Sequence, residues 1–387
     1  MVAQSKTGCG DDFPAEVLRP RFQGMRSSNR FSTRRAAVAP ILALPLVLAA
    51  AASLRAQEAP LFASDDVLPL TIQAPLERIF SHRDQESEEY PGVIVVDAGT
   101  RLDTVEVDIR TRGRSRLDRR ICRFPPLRLD FPRSRVAGTV FEGQDKVKLV
   151  THCRDDERFE QNMLVESLAY RILNLLTEVS FRVRVARITY EDTDGDRDPV
   201  TRYGFLIEHE EAVASRTGWR YLPVPSVPPE ASDPDHLALL EVYQYMIGNT
   251  DWSAFAADPG SDECCHNTKP VGAPAGPVFA LPYDFDITGL VDAPYARNLY
   301  QANLQQLGIR TVRDRRFRGL CSTEPLWPEV LATLRERRGA IEGLIRGQEG
   351  LDPERRDEAL EYVGSFYDEL EDEPRLLERF RDTCIPA

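Results

Sequence analysis

The sequence predicts a two-lobed α+β protein, with a strand-rich first half that carries one long helix and a mainly helical second half. Two patterns support this prediction. Segments in which apolar and polar residues alternate, as in half-buried strands, are concentrated between residues 93 and 207. Apolar residues at helical spacing mark residues 155–178, and residues 324–381 are charged and mostly helical in pattern.

The elements are expected in a simple order along the chain. Alternation predicts strands at residues 93–96, 105–110, 127–131 and 146–150, and a hairpin at 183–190 and 202–207. After a proline-rich linker, Ser232 or Asp233 is expected to cap a helix that begins at Pro234 and ends near Ile247. The predicted organisation is a signal segment at 1–57, an irregular segment at 58–90, an N-lobe at 91–210 and a C-lobe at 211–387.

Charge limits the partners that the protein can bind. The formal net charge is −13, and residues 1–57 contribute +5 from eight Lys or Arg and three Asp or Glu. The remaining residues therefore carry −13 minus +5, or −18. A body this acidic repels nucleic acid and anionic membrane surfaces. We expect no nucleic-acid partner, and the sequence indicates no oligomeric state.

The N-terminus resembles a secretory signal. Arg34 and Arg35 precede an apolar run from Ala36 to Leu54, and small residues follow it. A membrane anchor is the alternative, but two prolines and many alanines make the run a poor spanning helix. Cleavage near residues 56–57 would leave a periplasmic, secreted or cell-surface protein without stable membrane insertion. Met25 is an alternative start of translation.

Export to an oxidising compartment changes the role that is expected of the cysteines. An even number in an oxidising compartment predicts disulfide bonds, although six cysteines allow 15 pairings that the sequence does not distinguish. Their spacings match no zinc-binding pattern, so structural bridges are favoured over a metal site. The six cysteines that follow the signal segment are Cys122, Cys153, Cys264, Cys265, Cys321 and Cys384.

A stretch of acidic and amide residues in the second half gives the first indication of chemistry. Asp251 follows the end of a predicted helix, Asn267 lies in the next loop, and Asp284 and Asp286 flank a phenylalanine at a predicted strand end. Phosphoryl transfer needs a carboxylate that orients the accepting hydroxyl, and an amide and another carboxylate that hold Mg²⁺ or Mn²⁺. Asp251 is therefore the predicted catalytic aspartate. The predicted metal ligands are Asp284 or Asp286, with Asn267 or the rival amide Asn249.

Lysine is rare in this chain. Of 49 basic residues only four are lysines, and two of these, Lys146 and Lys148, share one face of a predicted strand. Because arginine occupies nearly every other basic position, a lysine indicates a need for a compact ammonium group. Glu166 on the following helix is the expected partner of Lys148, since such a pair grips the phosphates of ATP in kinases. Ordinary solvated charges are the alternative, and Glu160 is expected to serve the helix dipole instead.

Six motifs, in this order along residues 90–295, resemble those of the spore-coat CotH family of secreted atypical protein kinases, and more distantly those of HipA-type kinases. They are Arg112-Gly113-Arg114-Ser115 with the strand Leu127-Arg128-Leu129, Lys148-Leu149 before the Glu166 helix, Gly204-Phe205-Leu206-Ile207-Glu208, Asn249-Thr250-Asp251-Trp252, His266-Asn267 and Tyr283-Asp284-Phe285-Asp286.

The resemblance implies a protein-kinase-like fold and an ATP site. It places Lys148 and Glu166 at the phosphates with Lys146 and Arg114 nearby, and Glu208 near the adenine edge. It also implies Mg²⁺ or Mn²⁺ at the acidic residues. The sequence departs from the pattern in its insertion at 254–265 and in the missing glycine after the Asp-Phe-Asp.

Two functions follow as hypotheses. The first is an exported kinase that transfers the γ-phosphoryl group of ATP to Ser or Thr hydroxyls of an unidentified protein substrate. The second is a catalytically inactive, pseudokinase-like binding module or a structural module of the cell surface. The histidines at 209, 236 and 266 are expected to be structural or exposed, and not general bases.

Overall fold

The computed structural model describes residues 60–84, 87–97, 102–258 and 260–386. The strands in these ranges are β1 (Leu68–Ala74), β2 (Tyr90–Asp97), β3 (Leu102–Thr111), β4 (Leu127–Asp130), β5 (Lys146–Val150), β6 (Val183–Asp192), β7 (Val200–Ile207), β8 (Arg220–Tyr221), β9 (Thr268–Gly272) and β10 (Val278–Pro282). The α-helices are α1 (Leu76–Ser81), α2 (Glu157–Asn174), α3 (Glu210–Thr217), α4 (Pro234–Met246), α5 (Ala296–Gln306), α6 (Trp327–Arg346), α7 (Pro353–Glu371) and α8 (Glu373–Thr383).

Seven strands close into a mixed barrel in the order β1-β2-β3-β4-β5-β7-β6. Neighbouring strands are antiparallel except β1 and β6, which run parallel with Leu70 opposite Ile188. Buried and more exposed positions alternate along β1, where Leu70 and Ile72 point inward. Aliphatic and aromatic side chains from all seven strands fill the interior as one hydrophobic core.

The predicted two-lobed protein-kinase-like fold is wrong, because the sheet closes on itself. The segment 58–90 is predicted to be irregular, yet it contains β1 and α1. Strand β1 completes the barrel by pairing with β2 on one side and β6 on the other. Pro69 weakens the strand signal, since proline within an alternating run argues against a strand. In the structure Pro69 is the second residue of β1 and pairs only with β6.

The other strand and helix predictions in the first half are confirmed to within a few residues. Strands β2 to β5 cover the predicted segments, β6 and β7 form the predicted hairpin, and α2 lies within the predicted helix. Asp233 is the residue that caps α4, because its side chain accepts a hydrogen bond from the backbone N–H of His236 at 2.9 Å.

Helix α2 joins the barrel to the helical part of the molecule. It contacts β6 and β7 on one side and α6 on the other. Its buried residues, among them Leu168 and Ile172 with no exposed surface, belong to a second hydrophobic core shared with α4, α6, α7 and α8. Strands β8, β9 and β10 form a separate antiparallel sheet. The helix therefore carries its side chains into the junction between these parts.

Three disulfide bonds are present, which confirms the expected use of the cysteines. They join Cys122 to Cys153, Cys264 to Cys265, and Cys321 to Cys384. Such bonds form in oxidising compartments, as expected for an exported protein. Among the described residues, no helix combines the length and apolar character required to cross a bilayer. The predicted signal segment lies outside the described residues.

Candidate functional site

Helix α2 presents two polar residues to the Asp-Phe-Asp segment. Glu166 and Tyr170 are four residues apart and therefore lie on the same face of the helix. The backbone N–H of Asp284 donates to the Tyr170 hydroxyl at 2.9 Å, and the Phe285 ring packs against the Tyr170 ring at 4.7 Å. Phe285 has no exposed surface. The phenylalanine thus anchors the segment in the core and leaves its two aspartates at the helix.

The β9–β10 hairpin brings Asn267 next to this segment. Thr268 pairs with Pro282, so the residue before β9 meets the residue after β10, and Tyr283 N–H donates to the Asn267 carbonyl at 3.0 Å. Asn267 and Asp284 both have positive φ, at 50° and 63°. This left-handed conformation is uncommon outside glycine and costs about 1 kcal/mol or more, and it often occurs at functional sites.

Arg116 is the centre of the carboxylate cluster formed by Glu166, Asp284 and Asp286. Its guanidinium group approaches Glu166 at 3.3 Å and Asp286 at 3.6 Å, and it donates a short hydrogen bond to Asp284. A different nitrogen serves each carboxylate, which only the planar fork of arginine allows. Tyr295 adds a hydrogen bond to Asp286 at 2.8 Å.

The cluster sets three carboxyl groups around one guanidinium group. Burial raises the pKa of Glu166 and of Asp286, and the attraction of Arg116 offsets this only in part. Burial alone would lower the pKa of Arg116, but its three carboxylate neighbours raise it well above its usual value. One oxygen of Glu166, Oε1, is buried without a hydrogen-bond partner. A further cation near these carboxylates would therefore be stabilised.

Cationic side chains lie near Tyr283, the residue that precedes Asp284. Lys148 Nζ lies 5.4 Å from the centre of the Tyr283 ring and donates to Glu210 at 3.0 Å. Arg112 is close enough to Asp284 to be stabilised by its charge, although burial lowers the pKa of Arg112 overall. Lys269 also interacts electrostatically with Tyr283. Lys148 thus lies over the Tyr283 ring, whereas Lys269 lies over the Tyr221 ring and pairs with Glu263.

Asp251 lies in a network of side chains at the end of α4. His266 Nε2 is 2.6 Å from Asp251 Oδ1, and its other ring nitrogen contacts Asp258. Asn267 donates to the Asp251 carboxylate at 3.1 Å and to its carbonyl at 2.8 Å. Hydrogen bonding to Asp251 raises the pKa of His266. The Asn267 carbonyl also accepts from the N–H of Tyr283 at 3.0 Å, so Asn267 connects the Asp251 loop to the Asp-Phe-Asp segment.

The structure changes the partners of several predicted residues. Lys148 pairs with Glu210 of α3 and not with Glu166, which pairs with Arg116. Glu208 is buried, and its carboxylate forms an ion pair with Arg216 at 2.9 Å. The predicted Lys148–Glu166 pair is therefore corrected, whereas the position of Glu208 near an adenine edge stays a prediction.

Other predicted residues have contacts that bear on their roles. Asn249 is buried, and its side-chain oxygen accepts from the Asp251 N–H at 2.9 Å. This contact orients the Asp251 loop and favours Asn267 over Asn249 as the amide ligand. Arg114 forms an ion pair with Asp258. Lys146 is half-buried on β5.

Arg116 is a residue of the candidate site that the sequence motifs do not include. It directly follows the motif Arg112-Gly113-Arg114-Ser115, and this neighbourhood is the signal that the sequence offers for it. Its buried contacts could not be foreseen, because Arg116 and Asp284 are 168 residues apart.

The described residues contain no cluster of three His, Cys, Asp or Glu side chains arranged to hold a metal ion. Mg²⁺, however, usually binds to one or two carboxylates together with phosphate oxygens and waters. Asp284 suits this use, because 38% of its side chain is exposed and its oxygen donors are hard ligands. The residues present thus fit a metal that arrives with a phosphate ligand.

A comparison of the chain with models of known protein families finds no match, and a comparison with curated proteins finds none. The resemblance to CotH-like kinases consequently rests on the six motifs alone.

Proposed function

We propose that this protein is an exported, CotH-like phosphotransferase that passes the γ-phosphoryl group of ATP to Ser or Thr hydroxyls of proteins. The observation that supports the proposal is that three groups lie next to the hydrogen-bonded pair Asn267 and Tyr283. These are the cations around Tyr283, the carboxylates around Arg116, and the separately held Asp251. Phosphoryl transfer requires these three elements and little covalent chemistry from the protein.

The cations would bind the phosphates of ATP. Lys148 supplies a compact ammonium group, and burial lowers its pKa, so a phosphate anion would stabilise its charged form. Arg112 supplies a second cation on the side of Asp284. Charge-assisted hydrogen bonds of this kind contribute about 1.5–3 kcal/mol each.

The carboxylates would hold the metal that accompanies ATP. Asp284 is the principal candidate, and Asp286 and Asn267 are its neighbours. When bound, Mg²⁺ or Mn²⁺ neutralises the charge that develops on the phosphates. Arg116 contributes by keeping the two aspartates and Glu166 in a defined arrangement.

Asp251 would orient the accepting hydroxyl. Its loop is fixed by Asn249 and Asn267, and its carboxylate is only 14% exposed. A carboxylate fixed in this way places the hydroxyl for attack without further reorganisation, which is where most of the catalytic gain arises.

A nucleotide-binding module without turnover is the second candidate function. The observation that favours it is the engagement of both Asp251 oxygens, one by His266 and the other by Asn267. In a module that binds but does not transfer, these bonds would persist and exclude a hydroxyl substrate.

The test is thermal stabilisation by ATP in the presence of Mg²⁺ or Mn²⁺. We expect a metal-dependent rise in Tm for the wild-type protein, because a ligand that binds only the folded state stabilises it. Asp284→Asn should abolish the rise. Asp262→Asn, an exposed aspartate in the nearby loop, should keep it. No rise with any nucleotide would contradict the proposal, and a rise without phosphate transfer would favour the inactive module.

A further inference from the structure

A segment rich in arginine lies beside the loop that carries Asp251. Residues 310–318 contain five Arg and one Asp, a local charge of +4, in a chain of net charge −13. Arg318 donates hydrogen bonds to the carbonyl oxygens of Thr250 and, at 3.3 Å, of Trp252. These two carbonyls flank Asp251. The arginine segment therefore borders the site at which the accepting hydroxyl would be bound.

The arginines of this segment have different surroundings. The Arg315 side chain is 7% exposed and donates to backbone carbonyls of Met246 and Tyr362, so it is structural. Phe317 is buried. Arg316 lies between them, is half-buried, and forms no hydrogen bond or ion pair with any residue that the structure describes. Arg316 and Arg318 flank the buried Phe317, and both remain partly exposed.

Helix α5 adds another cation to this border. The hydroxyl of Tyr300 donates to the Thr250 carbonyl at 2.5 Å, which fixes α5 against the Asp251 loop. Arg297 is exposed and precedes Tyr300 by three residues, so the two are neighbours on the helix surface. Arg297 likewise has no polar partner within the described ranges.

We propose that Arg297, Arg316 and Arg318, here called the arginine rim, form the docking surface for an acidic peptide. The peptide would be the part of a protein substrate that flanks the accepting hydroxyl, so the inference rests on the proposed function and assigns its substrate class. Among the described residues, none of the three rim cations has a carboxylate partner, and Arg318 bonds to backbone carbonyls. The acidic remainder of the protein repels an acidic peptide elsewhere and directs it to the rim. A nucleic acid is a longer polyanion and would meet that repulsion over most of its length.

The test measures binding without ATP. Fluorescence anisotropy would follow a labelled peptide that carries one serine among glutamates, and a matched peptide with glutamines in their place. Wild-type protein should prefer the acidic peptide, and the preference should weaken as salt is raised. Arg316→Glu should weaken binding of the acidic peptide roughly tenfold or more, because it replaces an attraction with a repulsion. Arg297→Glu should act in the same direction.

Arg337→Glu is the matched control. Arg337 is an exposed arginine of α6 without a polar partner in the described part of the chain, so its reversal changes net charge equally. The proposal would be overturned if Arg316→Glu and Arg337→Glu lost equal affinity for the acidic peptide. It would also be overturned if the wild type did not prefer the acidic peptide, or if it bound phosphatidylserine vesicles preferentially. Since anisotropy needs no turnover, a failure of phosphate transfer would leave this test intact. Phosphate transfer that does not depend on acidic residues beside the accepting hydroxyl would contradict the docking role of the arginine rim. It would leave the proposed kinase activity unaffected.

Discussion

Glu241 provides a quantitative prediction about stability and pH. It lies on α4 and is 2% exposed, and burial raises its pKa from 4.5 to about 7. Its carboxyl accepts from Leu320 N–H at 2.8 Å and lies 2.5 Å from the Thr323 hydroxyl. That hydroxyl has one proton and also contacts the Leu320 carbonyl at 2.8 Å. A protonated Glu241 can donate to Thr323, which leaves the Thr323 proton for Leu320.

The sign of the pH effect follows from the raised pKa. The folded state binds the proton more tightly than the unfolded state, so the stabilising contribution is fully present below pH 4.5 and is lost as pH rises to about 7. The shift of about 2.5 pKa units corresponds to about 3 kcal/mol. Glu241→Gln imitates the protonated group at every pH.

The assay is urea unfolding of wild type and Glu241→Gln between pH 4.5 and 8, with the disulfides intact. The variant should gain about 3 kcal/mol relative to wild type over this range. Other titrating groups cancel in the difference. Glu329→Gln, an exposed glutamate of α6, should show no comparable change. Parallel pH profiles for wild type and Glu241→Gln would refute the reasoning.

Two further predictions concern the site and the disulfides. Lys148→Met should weaken ATP binding in a calorimetric titration roughly tenfold or more, since it removes a charge-assisted contact to phosphate, whereas Lys146→Met on the same strand should have a smaller effect. Equal effects would contradict the assignment of Lys148. Removing the Cys321–Cys384 bond by a double serine substitution should lower the free energy of unfolding by about 4 kcal/mol, because the bond closes a loop with a sequence separation of 63. An unchanged urea midpoint would argue against that contribution.

Local patterns predicted much of the secondary structure because their causes are local. The alternation of β2 to β5 and the helical repeat of α2 reflect burial on one face, which the sequence records directly. Closure of the barrel depends on pairing between β1 and β6, which are more than 100 residues apart in the chain. No local pattern reports such a pairing, so the fold class was predicted incorrectly.

The residues of the candidate site were easier to predict from the sequence than the contacts between them. Glu166, Asp284 and Asp286 all contact Arg116, and Asn267 connects Asp251 to the Asp-Phe-Asp segment. The partner of Lys148 was not predictable, because a strand side chain can reach either α2 or α3 and the choice depends on how both helices pack.

The most direct test of the central claim is transfer of radiolabelled phosphate from the γ-position of ATP, in the presence of Mn²⁺, to protein. The account predicts incorporation by the wild-type protein. Asp251→Ala should lose incorporation while it keeps metal-dependent stabilisation by ATP, since Asp251 orients the hydroxyl and does not hold the nucleotide. Undiminished incorporation by Asp251→Ala would contradict the account, as would the absence of both incorporation and ATP stabilisation in the wild type.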